Sequence, residues 1–208
     1  MWISRVLFYT KISILFEPPR AVWRFYIMMR IITGTARGVR LETLEGNDTT
    51  RPTGEKVKEA IFSMIQFEIE GRKVLDVFSG SGQLALEALS RGADNATMIE
   101  ASKDAAAIIR RNAVKTKMIS NSKVIVSDYK TALRGLEGQK FQLVFMDPPY
   151  AASLFPIRLT ELSVTVFLPT AVLWFVRART QLPTSIPHLS SASITSTEDL
   201  LLLYMRKR

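Results

Sequence analysis

Between Met29 and Tyr150 the apolar positions fall into two alternating rhythms. Short apolar runs at Lys73–Phe78, Ala96–Glu100, Lys123–Ser127 and Phe141–Met146 have the length and make-up of strands. Between them, Gln83–Arg91, Ser102–Lys117 and a short stretch ending at Leu136 read as helices. Ahead of the first strand, Val57, Ala60, Ile61, Met64 and Ile65 form an i, i+3, i+4 stripe. That stripe predicts a helix capped by Thr53 and running to about Phe67. Arg30 to Leu44 reads as a short hairpin with turns near Gly34 and Gly38. Strand–helix alternation gives right-handed βαβ units, so the fold class is α/β with a mainly parallel sheet.

Outside this stretch the pattern fails. Residues 1–28 are apolar and aromatic but are interrupted by Arg5, Lys11, Glu17, Arg20 and Arg24. No run there reaches the roughly 20 apolar residues that span a bilayer, and no small-residue cleavage site follows a short apolar core. They read as a non-native extension ahead of a natural start at Met29. At the other end, all ten glycines lie between Gly34 and Gly138. At the usual abundance of roughly 7%, a segment the length of residues 151–208 carries about four. That segment instead holds 18 Ser, Thr or Pro residues, one Lys and no Asn, and its acids are Glu161, Glu198 and Asp199. Folded α/β segments need Gly or Asn for turns with positive φ. Strand-like apolar runs remain only at Ser163–Leu168, Ala171–Val176 and Leu200–Met205.

The layout expected is therefore an extension over 1–28, a hairpin and helix over 29–70, a core over 71–150 and a divergent tail over 151–208. The formal charge of +9 divides evenly, with +3 in each of residues 1–28, 29–150 and 151–208. Two thirds of the surplus thus lies outside the best-organised region, and the charge alone points only weakly to phosphate-bearing partners. The absence of Cys excludes a disulfide scaffold, thiolate catalysis and Cys-based zinc or iron–sulfur sites. With His188 as the one histidine, multi-His metal centres are excluded too, and no metal is expected. A cysteine-free chain fits a reducing cytosol.

Ligands of open α/β sheets bind beyond the carboxyl ends of the strands, where strand order reverses. The chemistry-bearing residues sit there. After the first strand comes Asp76-Val77-Phe78-Ser79-Gly80-Ser81-Gly82, whose glycines permit a tight turn and close approach of a ligand to the backbone. The second strand ends in Glu100, a carboxylate able to accept from a ribose diol. Asp128 follows the third strand, placed to accept from an exocyclic amine. Directly after the fourth comes Asp147-Pro148-Pro149-Tyr150. Two prolines remove two N–H donors, so this loop offers acceptors only, beside an aromatic face. Such a set suits the amino group of a flat base, with Tyr150 stacked on the ring.

As a set these residues resemble the bacterial 16S ribosomal RNA guanine-N2 methyltransferases. The likeness covers residues 29–150 and rests on Met29-Arg30-Ile31-Ile32, Arg37-Gly38, Arg51-Pro52-Thr53 and Glu59-Ala60-Ile61-Phe62. It continues through Leu75–Gly82, Leu86–Ala93 and the Asp-Pro-Pro-Tyr loop. The resemblance implies a Rossmann-like fold using S-adenosylmethionine (SAM). Asp76 and Phe78, Ser79, Gly80, Ser81 and Gly82 would surround its methionine part, Glu100 its ribose and Asp128 its adenine edge. Asp147, Pro148, Pro149 and Tyr150 would hold the target guanine. Arg37, Arg40, Arg51, Lys56 and Lys58, with Thr53 in the matching Arg-Pro-Thr segment, are candidates to meet RNA; the basic ones would contact phosphates, which position RNA without reading its sequence.

The implied protein is a cytoplasmic monomer acting on 16S ribosomal RNA or a small-subunit assembly intermediate, with no membrane partner. Three other readings stay open: an amino-methyltransferase acting on adenine in DNA or on a protein amide, a dinucleotide enzyme, and an inactive SAM- or RNA-binding remnant. The last arises because the likeness ends where Gly, Asn and Lys run out. Residues 151–208 are expected to be frame-shifted or otherwise replaced, in place of the last strands. Translating the encoding DNA in the other two frames tests this, and the lack of a family-like continuation there refutes it.

Overall fold

The computed structural model describes residues 29–44 and 52–147 and three strands at 171–176, 192–197 and 200–206. For residues 52–57 and those three strands it describes the backbone alone. The elements are α1 (Pro52–Met64), β1 (Lys73–Asp76), α2 (Gln83–Ser90), β2 (Asn95–Glu100), α3 (Lys103–Lys115), β3 (Ser122–Val126), α4 (Tyr129–Gly135) and β4 (Leu143–Phe145). They are followed by β5 (Ala171–Val176), β6 (Ala192–Thr197) and β7 (Leu200–Arg206).

One sequence-based expectation about α1 is corrected. The helix begins at Pro52, so Thr53 lies inside its first turn rather than capping it, and it stops at Met64 rather than near Phe67. Proline suits the first helical position because the N–H it lacks would have had no intrahelical acceptor. The other helix starts follow local chemistry. Ser102 caps α3 by accepting from the Ala105 N–H, and Asp128 caps α4 by accepting from the Thr131 N–H.

The sheet runs in the order β3-β2-β1-β4-β5-β7-β6. The pairs from β3 to β5 are parallel, and β7 is antiparallel to both β5 and β6. The chain first steps outward from β1 to β3 and then returns to place β4 on the other side of β1. Strand order therefore reverses between β1 and β4, and their carboxyl ends open a crevice. Alternate residues feed two cores. Val74, Ala96, Met98, Leu143 and Phe145 face Ile61, Phe62, Leu86 and Ile109, whereas Leu75, Ile99 and Val144 face Ala132, Leu133 and Leu136.

The tail, read from its composition as standing in place of the last strands, itself supplies β5, β6 and β7. Ala171–Val176 and Leu200–Arg206 pair from Ala171↔Arg206 to Val176↔Leu201, a ladder that needs backbone groups and no glycine. The run at Ser163–Leu168 lies outside the described residues. So do the expected extension over 1–28, Arg51 and the Pro148-Pro149-Tyr150 portion of the acceptor loop.

The 29–44 segment is hairpin-like, held by a bridge between Arg30 and Arg40 and by Ile31 N–H donating to the Val39 carbonyl at 3.0 Å. Ile31, Ala36 and Leu41 sink into the same core as α1 and α2. At Gly34, φ is +86° and a Cβ would stand 1.7 Å from the Ser90 carbonyl oxygen, so only glycine fits this contact.

Candidate active site

The turn after β1 is held by backbone hydrogen bonds, two of them to the neighbouring strands. Val77 N–H donates to the Phe145 carbonyl, Ser79 N–H to the Ile99 carbonyl and Gly82 N–H to the Ser79 carbonyl at 2.7 Å. Ser79 is buried, and its hydroxyl donates to the Asp76 carbonyl at 2.9 Å. Its side chain thus closes the turn. Gly80 and Gly82 both hold positive φ, +55° and +80°. A Cβ at Gly82 would press on Met98 and Ile109, whereas one at Gly80 would meet nothing within 4 Å among the described residues. The floor of the turn is tightly packed, and no described residue crowds its crest at Gly80, which suits close approach of a ligand to this backbone cradle.

Carboxylates gather around that cradle. Glu100 accepts from the Gly80 N–H at 2.8 Å and from the Ser102 N–H at 2.9 Å, which ties the end of β2 to the glycine turn. Asp76 ends β1 and is buried, and neither of its carboxylate oxygens closes a full hydrogen bond with the described residues. Its pKa is pushed up to about 7 from 3.8, first by burial and then by the charge of Asp147; nearby Phe78 and Ala85 N–H groups offset part of this. Asp147, half-buried after β4, is thus brought to the Asp76 side of the crevice. Phe78 is half-buried and packs on Tyr129, with ring centroids 5.4 Å apart. Asp128 is exposed. The Thr131 hydroxyl and N–H hold its carboxyl below the usual range, so one of its oxygens already serves a helix cap.

Asp76, Phe78, Ser79, Gly80, Ser81, Gly82 and Glu100 therefore come together around one turn, and Asp147 joins them through Asp76. Of the expected RNA contacts, Arg37 and Arg40 are exposed on the hairpin. Only the backbone of Thr53 and Lys56 is described, on the first turns of α1. Lys58 is a correction. It is 3% exposed, donates to the Arg30 carbonyl at 2.6 Å and lies 3.5 Å from Glu87, so it is a buried brace and not a phosphate contact. Lysine this deep is retained only with a partner, and Glu87 is that partner.

Sequence reasoning missed two residues beneath the site. Glu87, fully buried on α2, accepts from Ile32 and Thr33 N–H groups and from Arg91 Nε. A carboxylate inside the otherwise apolar Leu84–Leu89 run was its signal. Asn112, fully buried on α3, bonds to Glu42 and Ser81, and a polar residue on a helix face carries no such message by itself. Among the described residues, no helix is long and apolar enough to cross a membrane.

A glycine turn at the switch point of a Rossmann-like sheet, ringed by carboxylates, defines the class as the SAM-dependent methyltransferase fold. The chain belongs to the family described as Conserved hypothetical protein 95, whose model matches residues 29–201. This match runs well past Tyr150. The chain is 34% identical over 161 residues to the Ribosomal RNA small subunit methyltransferase D of Haemophilus influenzae, covering 76% of this chain and 83% of that protein. It is 36% identical over 124 residues to a proposed rRNA methyltransferase of Bacillus subtilis, covering 59% and 67%. The solved structure of a proposed methyltransferase from Escherichia coli superposes with a TM-score of 0.74 at 29% identity, covering 86% of this chain and 98% of that one.

Proposed function

We propose that this protein uses SAM to methylate the exocyclic N2 of a guanine in small-subunit (16S) ribosomal RNA, as a cytoplasmic monomer. The observation that carries the reading is the buried Asp76, its oxygens without full partners among the described residues, set between the uncrowded Gly80 and Asp147. An uncompensated buried carboxylate costs stability unless a ligand group completes it. A cationic ligand over the turn would do so, and the residues present fit SAM on that ground. When bound, SAM would supply an electrophilic methyl on a sulfonium whose methyl–sulfur bond breaks in the transfer, the sulfur departing as a neutral thioether.

The chain's part is to bind and to position. Asp76 and the 78–82 turn would hold the methionine portion, Glu100 the ribose and Asp128 the adenine edge. Asp147 accepts a hydrogen bond from the guanine amino group, aims its nitrogen and takes up the proton as the nitrogen gains its new bond. The Pro148 carbonyl is a second acceptor and Tyr150 a stacking plate, with Pro149 stiffening the loop. Catalysis of this kind comes mainly from positioning, and the target amine itself attacks. Arg37, Arg40, Arg51 and Lys56 would contact phosphates, with Thr53 in the same segment.

Asp147→Ala is expected to abolish methyl transfer while leaving SAM affinity nearly intact. Nucleoside analysis after incubation of 16S ribosomal RNA with labelled SAM identifies the base. Label in N2-methylguanosine supports the reading, and label in methyladenosine, or full turnover by the Asp147→Ala variant, overturns it.

A further inference from the structure

The 29–44 segment is stitched to the glycine turn from beneath. Asn112 is fully buried on α3, and its carboxamide reaches two distant parts of the chain at once. Its Oδ1 accepts from the Glu42 N–H at 2.8 Å, and its Nδ2 donates to the Glu42 carbonyl at 3.0 Å and to the Ser81 carbonyl at 2.9 Å. The amide thus pairs with Glu42 on both edges and spends its remaining proton on the crest of the turn. At the other end of the segment, the Ser81 hydroxyl donates to Met29 Sδ at 3.0 Å. Ser81 is therefore held from both ends of the hairpin, through its carbonyl and its hydroxyl.

We infer that Asn112 is a positioning residue that couples cofactor binding on the glycine turn to RNA binding on the hairpin. The inference rests on the proposed function, which assigns those two ligands. A rotation of the Ser81 peptide moves the carbonyl that anchors Nδ2. The carboxamide is rigid and buried, so the motion passes to Glu42 and the backbone leading back to Arg40. Coupling requires a physical element that both ligands bias, and it acts reciprocally on their affinities. Asn112 touches neither ligand in this scheme. Arg111, its neighbour, makes a 2.7 Å ion pair with Glu42 in which both side chains are largely exposed, and contributes little to the linkage.

The test is a pair of titrations with S-adenosylhomocysteine and transcribed 16S ribosomal RNA, each with and without the other. In the wild type, each ligand is expected to tighten the other by about 5-fold or more, the lower range of such couplings. Asn112→Asp keeps the side chain's shape but turns an oxygen towards the Glu42 and Ser81 carbonyls; in it the factor is expected to fall to about one, with Arg111→Ala unchanged. Coupling retained in Asn112→Asp, or absent from a wild type that binds both ligands, overturns the inference and leaves the functional reading standing. A wild type that does not bind S-adenosylhomocysteine overturns the functional reading and this inference with it. Hydrogen exchange on the wild type is independent of any variant. The Glu42 amide is expected to exchange several-fold more slowly with S-adenosylhomocysteine bound, and unchanged exchange there contradicts the coupling.

Discussion

Lys58 Nζ lies 3.5 Å from Glu87 Oε2, with only 3% and 0% of the two side chains exposed. The same carboxylate accepts from the Ile32 and Thr33 N–H groups and from Arg91, whose guanidinium also sits 4.7 Å over the Phe62 ring. One acid on α2 thereby anchors the hairpin, α1 and its own helix. Removing one member of such a set strands buried charge. Glu87→Ala is expected to cost about 3–5 kcal/mol, read as a lower midpoint in urea unfolding. A loss below about 1 kcal/mol, the scale of an exposed pair, would contradict the burial described.

Gly34 makes a second, independent prediction. Its φ is +86°, and a Cβ there would come within 1.7 Å of the Ser90 carbonyl oxygen, which leaves no room for alanine. Gly34→Ala adds a left-handed backbone strain to a backbone clash, together roughly 2–5 kcal/mol. Thermal unfolding reads the loss. Gly38→Ala, where a Cβ meets nothing within 4 Å among the described residues, is expected to bear the strain alone and so lose less.

Asp76 gives stability a pH dependence. Its carboxyl is pushed up to about 7 in the folded protein from an ordinary 3.8, burial being the main cause. The folded state thus holds this proton more tightly than the unfolded chain. Its contribution is full below the ordinary value of 3.8 and is lost as pH rises through about 7. The loss is on the order of 4 kcal/mol. Urea unfolding across this interval is expected to show the decline, and Asp76→Asn to flatten it. On the proposed reading, affinity for the cationic SAM rises as pH passes through about 7, where the folded protein's Asp76 gives up its proton.

Arg37 and Arg40 are exposed on the hairpin and are expected to act through charge. Replacing either with Ala should weaken RNA binding across sequences and lower the slope of log affinity against log salt by about one. A variant that changes base preference while keeping the salt slope would show a base contact in place of a phosphate contact.

Much of the frame is readable along the chain. Strands at Lys73–Asp76 and Leu143–Phe145 and helices at Gln83–Ser90 and Lys103–Lys115 follow from local apolar rhythm, and their ends shifted by only a few residues. Thr53 and Lys58 misled for different reasons. A threonine ahead of a helix stripe looks like a cap until Pro52 takes the first helical position. A lysine beside other basic residues looks solvated until Glu87, distant in sequence, is found beneath it.

By itself the sequence determined the βαβ rhythm, the glycine turn and the acids that end its strands, because period, turn chemistry and strand ends are local properties. Tertiary structure alone decided that Asp76 and Asp147 share one crevice, that Lys58 is buried and that Asn112 joins Glu42 to Ser81. These relations depend on which strands neighbour one another and on how much water each site keeps. Burial and long-range pairing emerge only when the sheet reverses its order at β1 and β4 and the hairpin closes over α2 and α3.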